Sequence, residues 1–145
     1  MKVDNEIRIG REIFGLANQL KRKIGKESSQ YGVTSIQGRI IGFVNWQSSK
    51  RDIFQKDIEA EFNIRRSSVT SVLKLMEKNG LIERVSVSED ARLKKIILTE
   101  KGREVDKHVH NFIDDMENEL KDEFTDIELD MFMDLVNRLS KKIDD

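Results

Sequence analysis

A mainly α-helical fold with one small β-hairpin is predicted by three features of this 145-residue chain. Apolar residues recur at helical spacing along most of its length. Capping signals recur before the helical runs. The alternative pattern, two short strand-like runs joined by a charged turn, occurs only once, over residues 81–98.

The first helix is predicted over 5–27, where Ile9, Ile13, Leu16, Ala17, Leu20 and Ile24 form one stripe. Gly10 and Gly15 weaken it by roughly 1 kcal/mol each relative to Ala. Thr34 and Gln37 form a capping-box pair that opens a second helix, running to about Trp46. Two shorter helices follow, over 55–62 and 66–79. Asn63 sits in the tight turn between them, which needs a residue tolerant of the left-handed conformation. Gly80 is placed as a left-handed C-cap for the second of the pair. Strands are predicted over 81–87 and 93–98, joined by Ser88–Arg92. Thr99 then caps a long helix, with Glu100 set favourably against its dipole. Thr125 and Glu128 form another capping box, with Phe124 and Leu129 as a hydrophobic staple, and the last helix runs to about Ile143.

Composition narrows the function classes. Apolar and charged residues each make up 37% of the chain, a balance suited to a protein that buries further surface by dimerising. With no Cys, disulfides, thiolate metal sites and thiol redox sensing are excluded. The longest apolar run, Ile40–Val44, is too short to span a bilayer. Met1–Glu6 has charges and no apolar core of the kind a signal peptide requires, so a cytoplasmic location is expected. The net charge of −1 conceals an asymmetry. Residues 1–49 carry 8 basic and 4 acidic side chains, and residues 50–102 carry 12 and 9. Residues 103–145 carry 6 and 14. A basic body with acidic C-terminal helices fits one DNA-facing surface, and fits equally an acidic region that is simply well solvated.

The helix at 66–79 carries the functional signal. Val69, Val72, Leu73 and Met76 form its buried stripe, and the opposite stripe holds Ser67, Thr70, Ser71, Lys74 and Lys78. Small polar side chains let a helix approach the floor of the major groove, and lysine contacts bases or phosphates. Arg65 and Arg66 stand at the N-terminal end, where backbone N–H groups favour phosphate. The helix before it would lie across the DNA backbone, as in a helix-turn-helix. The hairpin tip adds Asp90 and Arg92, followed by Lys94 and Lys95. A carboxylate two residues from an arginine can fix the guanidinium's direction, which suits insertion into a narrow minor groove.

Residues 55–102 resemble the winged helix-turn-helix of the MarR family from end to end. The resemblance rests on Gln55-Lys56-Asp57-Ile58-Glu59, on Arg66-Ser67-Ser68-Val69-Thr70 and on the run from Met76 to Arg84. Asp90-Ala91-Arg92 matches the family's wing signature, and Leu98-Thr99-Glu100-Lys101-Gly102 its exit into the next helix. Asn63 stands where the family usually has glycine, and Phe54 opens the supporting helix where a hydroxyl cap is expected. The resemblance implies one domain: dimerisation helices at 1–33 and 103–145 around a winged helix-turn-helix at 34–102. It implies a transcriptional regulator, usually a repressor, that occupies a pseudo-palindromic operator as a homodimer. Many members are released by small molecules. On this resemblance Ser67, Ser68, Thr70, Ser71 and Lys74 read bases, and Arg92 enters the minor groove oriented by Asp90. Arg65, Arg66, Lys94 and Lys95 hold phosphate.

Some members bind an aromatic or anionic effector between the dimerisation helices and the winged module. Arg39, Phe43 and Trp46 would serve here, although Phe43 and Trp46 read more simply as core and Arg39 as a surface charge. His108 and His110 diverge by about 200° on a helix and cannot easily share a metal, so no metal site is expected. No cofactor-binding loop or catalytic arrangement is present, and no enzyme is expected. The competing class is a winged-helix module used for protein–protein contact.

Overall fold

The structure, a computed structural model, describes residues 6–144; the start of the chain, read above as lacking a targeting segment, lies mostly outside them. The elements run α1 (Ile9–Ser29), α2 (Ser35–Ser48), α3 (Gln55–Phe62), α4 (Arg66–Lys78), β1 (Ile82–Ser86), β2 (Lys94–Leu98), α5 (Glu100–Asp122) and α6 (Asp126–Ile143). Mostly helical with a single hairpin, this is the predicted fold class. The chain forms two compact units, one up to His110 and one from Asn111 onward.

Local chemistry accounts for the boundaries of the first unit. Helix α1 starts at Ile9 rather than at residue 5, after Arg8, whose backbone is extended and whose side chain makes no cap. At α2 the reciprocal box is complete. The Thr34 hydroxyl accepts from the Gln37 N–H, and the Gln37 side chain accepts from the Thr34 N–H. Phe54 has no polar atom with which to cap α3. Instead the Asp57 carboxylate, three residues on, accepts the Phe54 N–H at 2.9 Å and also pairs with Arg51 at 3.1 Å. Asn63 takes the left-handed conformation (φ 51°, ψ 50°) that turns the chain from α3 into α4. Gly80 (φ 75°) ends α4 in a Schellman motif: its N–H donates to Glu77 and that of Leu81 to Met76.

The core of this unit gathers Ile40, Ile41 and Val44 of α2, Ile58 of α3, and Val69, Leu73 and Met76 of α4. Leu81, Ile82 and Ile96 close it from the hairpin and Val109 from α5. The strands pair antiparallel from Ile82↔Leu98 to Ser86↔Lys94. The Ile96 N–H also donates to the Ile53 carbonyl at 2.7 Å, so the segment before α3 anchors the hairpin. One polar pair ties α2 to α5, with the exposed Asn45 donating from Nδ2 to Oδ2 of the buried Asp106 at 2.7 Å. The predicted stripe of α1 is only partly used. Ile24 is buried, but Ile9, Ile13 and Leu16 stay about half exposed.

In the second unit α6 opens with the predicted Thr125–Glu128 box. Phe124 stacks on Phe132, with ring centroids 5.5 Å apart. No residue of α6 is buried, and Ile127, Met131 and Leu135 are all exposed. Two bonds, the Thr125 backbone N–H first and its hydroxyl second, hold the Glu128 carboxyl below its ordinary value. A folded-state value below the unfolded one means the cap is intact above the ordinary glutamate range and loosens as pH falls through the lowered value. An NMR titration should therefore show Glu128 protonating below the ordinary glutamate range. Thr125→Ala removes the hydroxyl and keeps the backbone N–H, so it should move the midpoint only part of the way back toward that range, and an unchanged midpoint would remove the hydroxyl from the causes.

Candidate nucleic-acid interface

Helices α3 and α4 with the hairpin frame an open cleft of about 370 Å³. Its lining includes Lys56 of α3, Arg66 of α4, Arg84 of β1, and Arg92 and Lys94 of the wing. Five cations thus converge from α3, α4 and the hairpin, against Glu59 as the acid in the lining. Such a concave basic surface attracts polyanions.

Along α4 the side chains Arg65, Arg66, Ser67, Ser68, Ser71 and Lys74 are exposed. No side chain caps the helix at Arg65, so its first-turn N–H groups remain suited to an incoming phosphate. The Ser71 hydroxyl donates to the Ser67 carbonyl at 3.1 Å. Toward solvent it therefore offers lone pairs, an acceptor for an amino group on a base edge. Thr70 is placed differently from its neighbours. It is half-buried, donates to the Arg66 carbonyl at 2.9 Å and accepts from Gln55 Nε2 at 2.8 Å. Its hydroxyl is committed to bracing α3 against α4.

At the wing tip Arg92 is 93% exposed, and its Nε lies 3.3 Å from Asp90 Oδ1. The same carboxylate oxygen accepts the Arg92 backbone N–H at 3.0 Å, and the Asp90 N–H donates to Ser88 Oγ at 3.2 Å. The expected Asp90–Arg92 arrangement is therefore built, with the backbone included. Lys94 and Lys95 part company because adjacent strand residues face opposite ways. Lys94 lines the cleft, whereas Lys95 pairs with Asp52 at 3.7 Å.

The sequence reading missed Gln55, Lys56 and Arg84. Lys56 and Arg84 stood in segments that carry the family resemblance, but no contact was assigned to either. Gln55 depends on a contact 15 residues away, which no local pattern signals. Arg84 is also held by Glu77 at 3.8 Å.

The suggested effector residues are partly brought together. Phe43 is buried edge-on to Phe62, with centroids 5.8 Å apart, and the Arg39 guanidinium lies 5.1 Å over the same Phe62 ring. Trp46 is 56% exposed, with the Lys50 ammonium 4.1 Å above its ring. His108 stacks on Tyr31 at 4.5 Å and lies 3.7 Å from Glu104. Among the described residues no group of three or more His, Asp or Glu is spaced to hold a metal ion. Among them too, no helix is long and apolar enough to cross a membrane.

A helix-turn-helix followed at once by an arginine-tipped hairpin defines a winged helix-turn-helix. Residues 31–93 match the family model of the MarR family. The curated HTH-type transcriptional regulator BilQ of Clostridioides difficile (strain CD3) is 28% identical over 92 residues, 63% of this chain. That match spans 60% of the relative's own length. The solved transcription regulator MarR from Oenococcus oeni PSU-1 superposes with a TM-score of 0.82 at 23% identity, over 92% of this chain and 99% of its own. The MepR–DNA complex of S. aureus gives 0.83 at 23% identity, over 95% and 99%. Residues 31–93 are thus similar to the MarR family, and the solved regulators share the fold.

Proposed function

We infer that this chain is a transcriptional regulator that binds double-stranded DNA sequence-specifically in the cytoplasm as a homodimer, and represses by occupying a pseudo-palindromic operator. The observation that carries this reading is the convergence of cations from α3, α4 and the wing on one cleft, beside an α4 face of small hydroxyls and Lys74. A module made only for protein contact has no need of an Arg92 pre-aimed by Asp90. The relatives support the reading, since one is a named transcriptional regulator and another was solved with DNA.

In this reading α4 enters the major groove and Ser67, Ser68, Ser71 and Lys74 face base edges. Arg92 reaches into the minor groove, while Arg65, Arg66 and Lys94, with Lys56 and Arg84, hold phosphates. Thr70 contributes by locking α3 to α4. Dimerisation is supported by the exposed apolar residues of α6 and, separately, by those of the first half of α1. Two copies would present two recognition helices to half-sites about one helical turn apart. A small aromatic or anionic effector would meet the Arg39–Phe43–Trp46 face of α2. There the Phe62 contacts pass any displacement of Arg39 or Phe43 to the supporting helix.

Titrating a labelled duplex at increasing salt tests the reading. Affinity should fall steeply, because several phosphate contacts release counterions. Lys74→Ala should change the preferred sequence by roughly 1–3 kcal/mol at one position if Lys74 reads a base. A uniform loss across sequences would reassign it to phosphate. Binding that is weak and indifferent to salt would favour the protein-contact reading.

A further inference from the structure

Three consecutive carbonyls just after α4 accept hydrogen bonds from Thr99, which precedes α5, and from Lys101 in its first turn. Lys101 Nζ donates to the Asn79 carbonyl at 2.8 Å. Thr99 Oγ1 donates to the Gly80 carbonyl at 2.5 Å, and the Thr99 N–H donates to the Leu81 carbonyl at 3.2 Å. Helix C-termini leave carbonyls without intrahelical partners, and a cation is favoured there by the helix dipole. The Schellman turn at Gly80 has already used the N–H groups of Gly80 and Leu81. The three donors from 99–101 therefore supply what the turn cannot. Thr99 is doubly engaged, because its hydroxyl also accepts the Gly102 N–H at 3.0 Å and so caps α5.

The place of this clamp in the chain gives it a consequence for DNA reading. Recognition helix α4 leaves it in one direction, and β1, which leads to the wing, leaves it in the other at Ile82. The angle between α4 and the wing decides whether Arg92 and the Ser67–Lys74 face can reach their two grooves together. We propose that Thr99 and Lys101 are positioning residues for DNA recognition, fixing the angle between recognition helix and wing without touching DNA. The inference rests on the DNA-binding reading above and adds to it a pair of residues outside the cleft.

The test uses the full chain and a labelled duplex carrying the sequence that the parent selects from a random pool. Lys101→Met keeps the apolar stem and removes the donor and charge. It should weaken binding about tenfold, the scale of one charge-assisted hydrogen bond. Lys101→Arg, which restores a donor, should recover most of the loss. Two readouts separate positioning from direct contact. The salt dependence should stay that of the parent, since no phosphate contact is lost. In a double-mutant cycle with Arg92→Ala, the cost of Lys101→Met should shrink, because without Arg92 the wing has little left to align. Unchanged affinity, full additivity with Arg92→Ala, or a salt slope lowered by about one would each overturn the proposal. In the free protein, Lys101→Met should speed amide exchange at Gly80 and Leu81, and no change there would refute the clamp itself. A parent that binds no duplex would reject the DNA-reading function, and this role with it, whatever the exchange data show.

Discussion

Replacing Gly102 by Ala destabilises the winged unit by about 2 kcal/mol or more, the range for overpacking a close contact. Helix propensity alone points the other way, since Ala in a helix interior is favoured over Gly by roughly 1 kcal/mol. Sterics decide the sign. A Cβ built on Gly102 would overlap the Leu81 carbonyl oxygen and come within 3.5 Å of Leu98 Cβ. The Leu81 oxygen is backbone and cannot rotate aside, and it already accepts the Thr99 N–H. Relief requires α5 to move off the end of α4, which stretches the Thr99 and Lys101 bonds as well. Denaturant unfolding of the variant against the parent measures this. A variant as stable as the parent, or more stable, would show that the approach of α5 to Leu81 is looser than described.

Loss of Arg92 has the second largest expected effect. Arg92→Ala should weaken binding to the selected duplex roughly ten- to hundredfold, the scale of one good base-edge contact. Dimer formation should be unaffected, since Arg92 stands at the wing tip with its side chain almost fully in solvent. Asp90→Ala should act in the same direction and less strongly. It leaves the guanidinium in place but frees it from the oxygen that also holds the Arg92 N–H, so rotamer entropy must be lost on binding. Titration of labelled duplex by fluorescence anisotropy measures both variants. Parent-like affinity in Arg92→Ala would remove the wing from the DNA contact.

Where the chemistry is local, the fold was legible in the sequence. Thr34 with Gln37 and Thr125 with Glu128 form the boxes their spacing announced, and Asn63 and Gly80 take the left-handed turns assigned to them. The pairing of Asp90 with Arg92 was legible for the same reason, being two residues apart. What escaped depends on how distant elements meet. Thr70 looked like a member of the reading face until α3 brought Gln55 against it. Lys94 and Lys95 looked equivalent until the strand register sent one to the cleft and the other to Asp52. The bond from Lys101 to Asn79 spans 22 residues and has no pattern in the chain to announce it. The stripe on α1 was read correctly as apolar, but the periodicity could not show that its first half stays exposed rather than packed in the core of its own unit.

If two copies of this module read DNA by sequence, selection from a random duplex pool will recover that sequence. Purified protein at near-physiological salt, freed of any co-purified ligand, is carried through repeated rounds of binding and recovery. An inverted repeat with half-sites about one helical turn apart should be enriched. Weak retention without an enriched sequence would contradict that expectation.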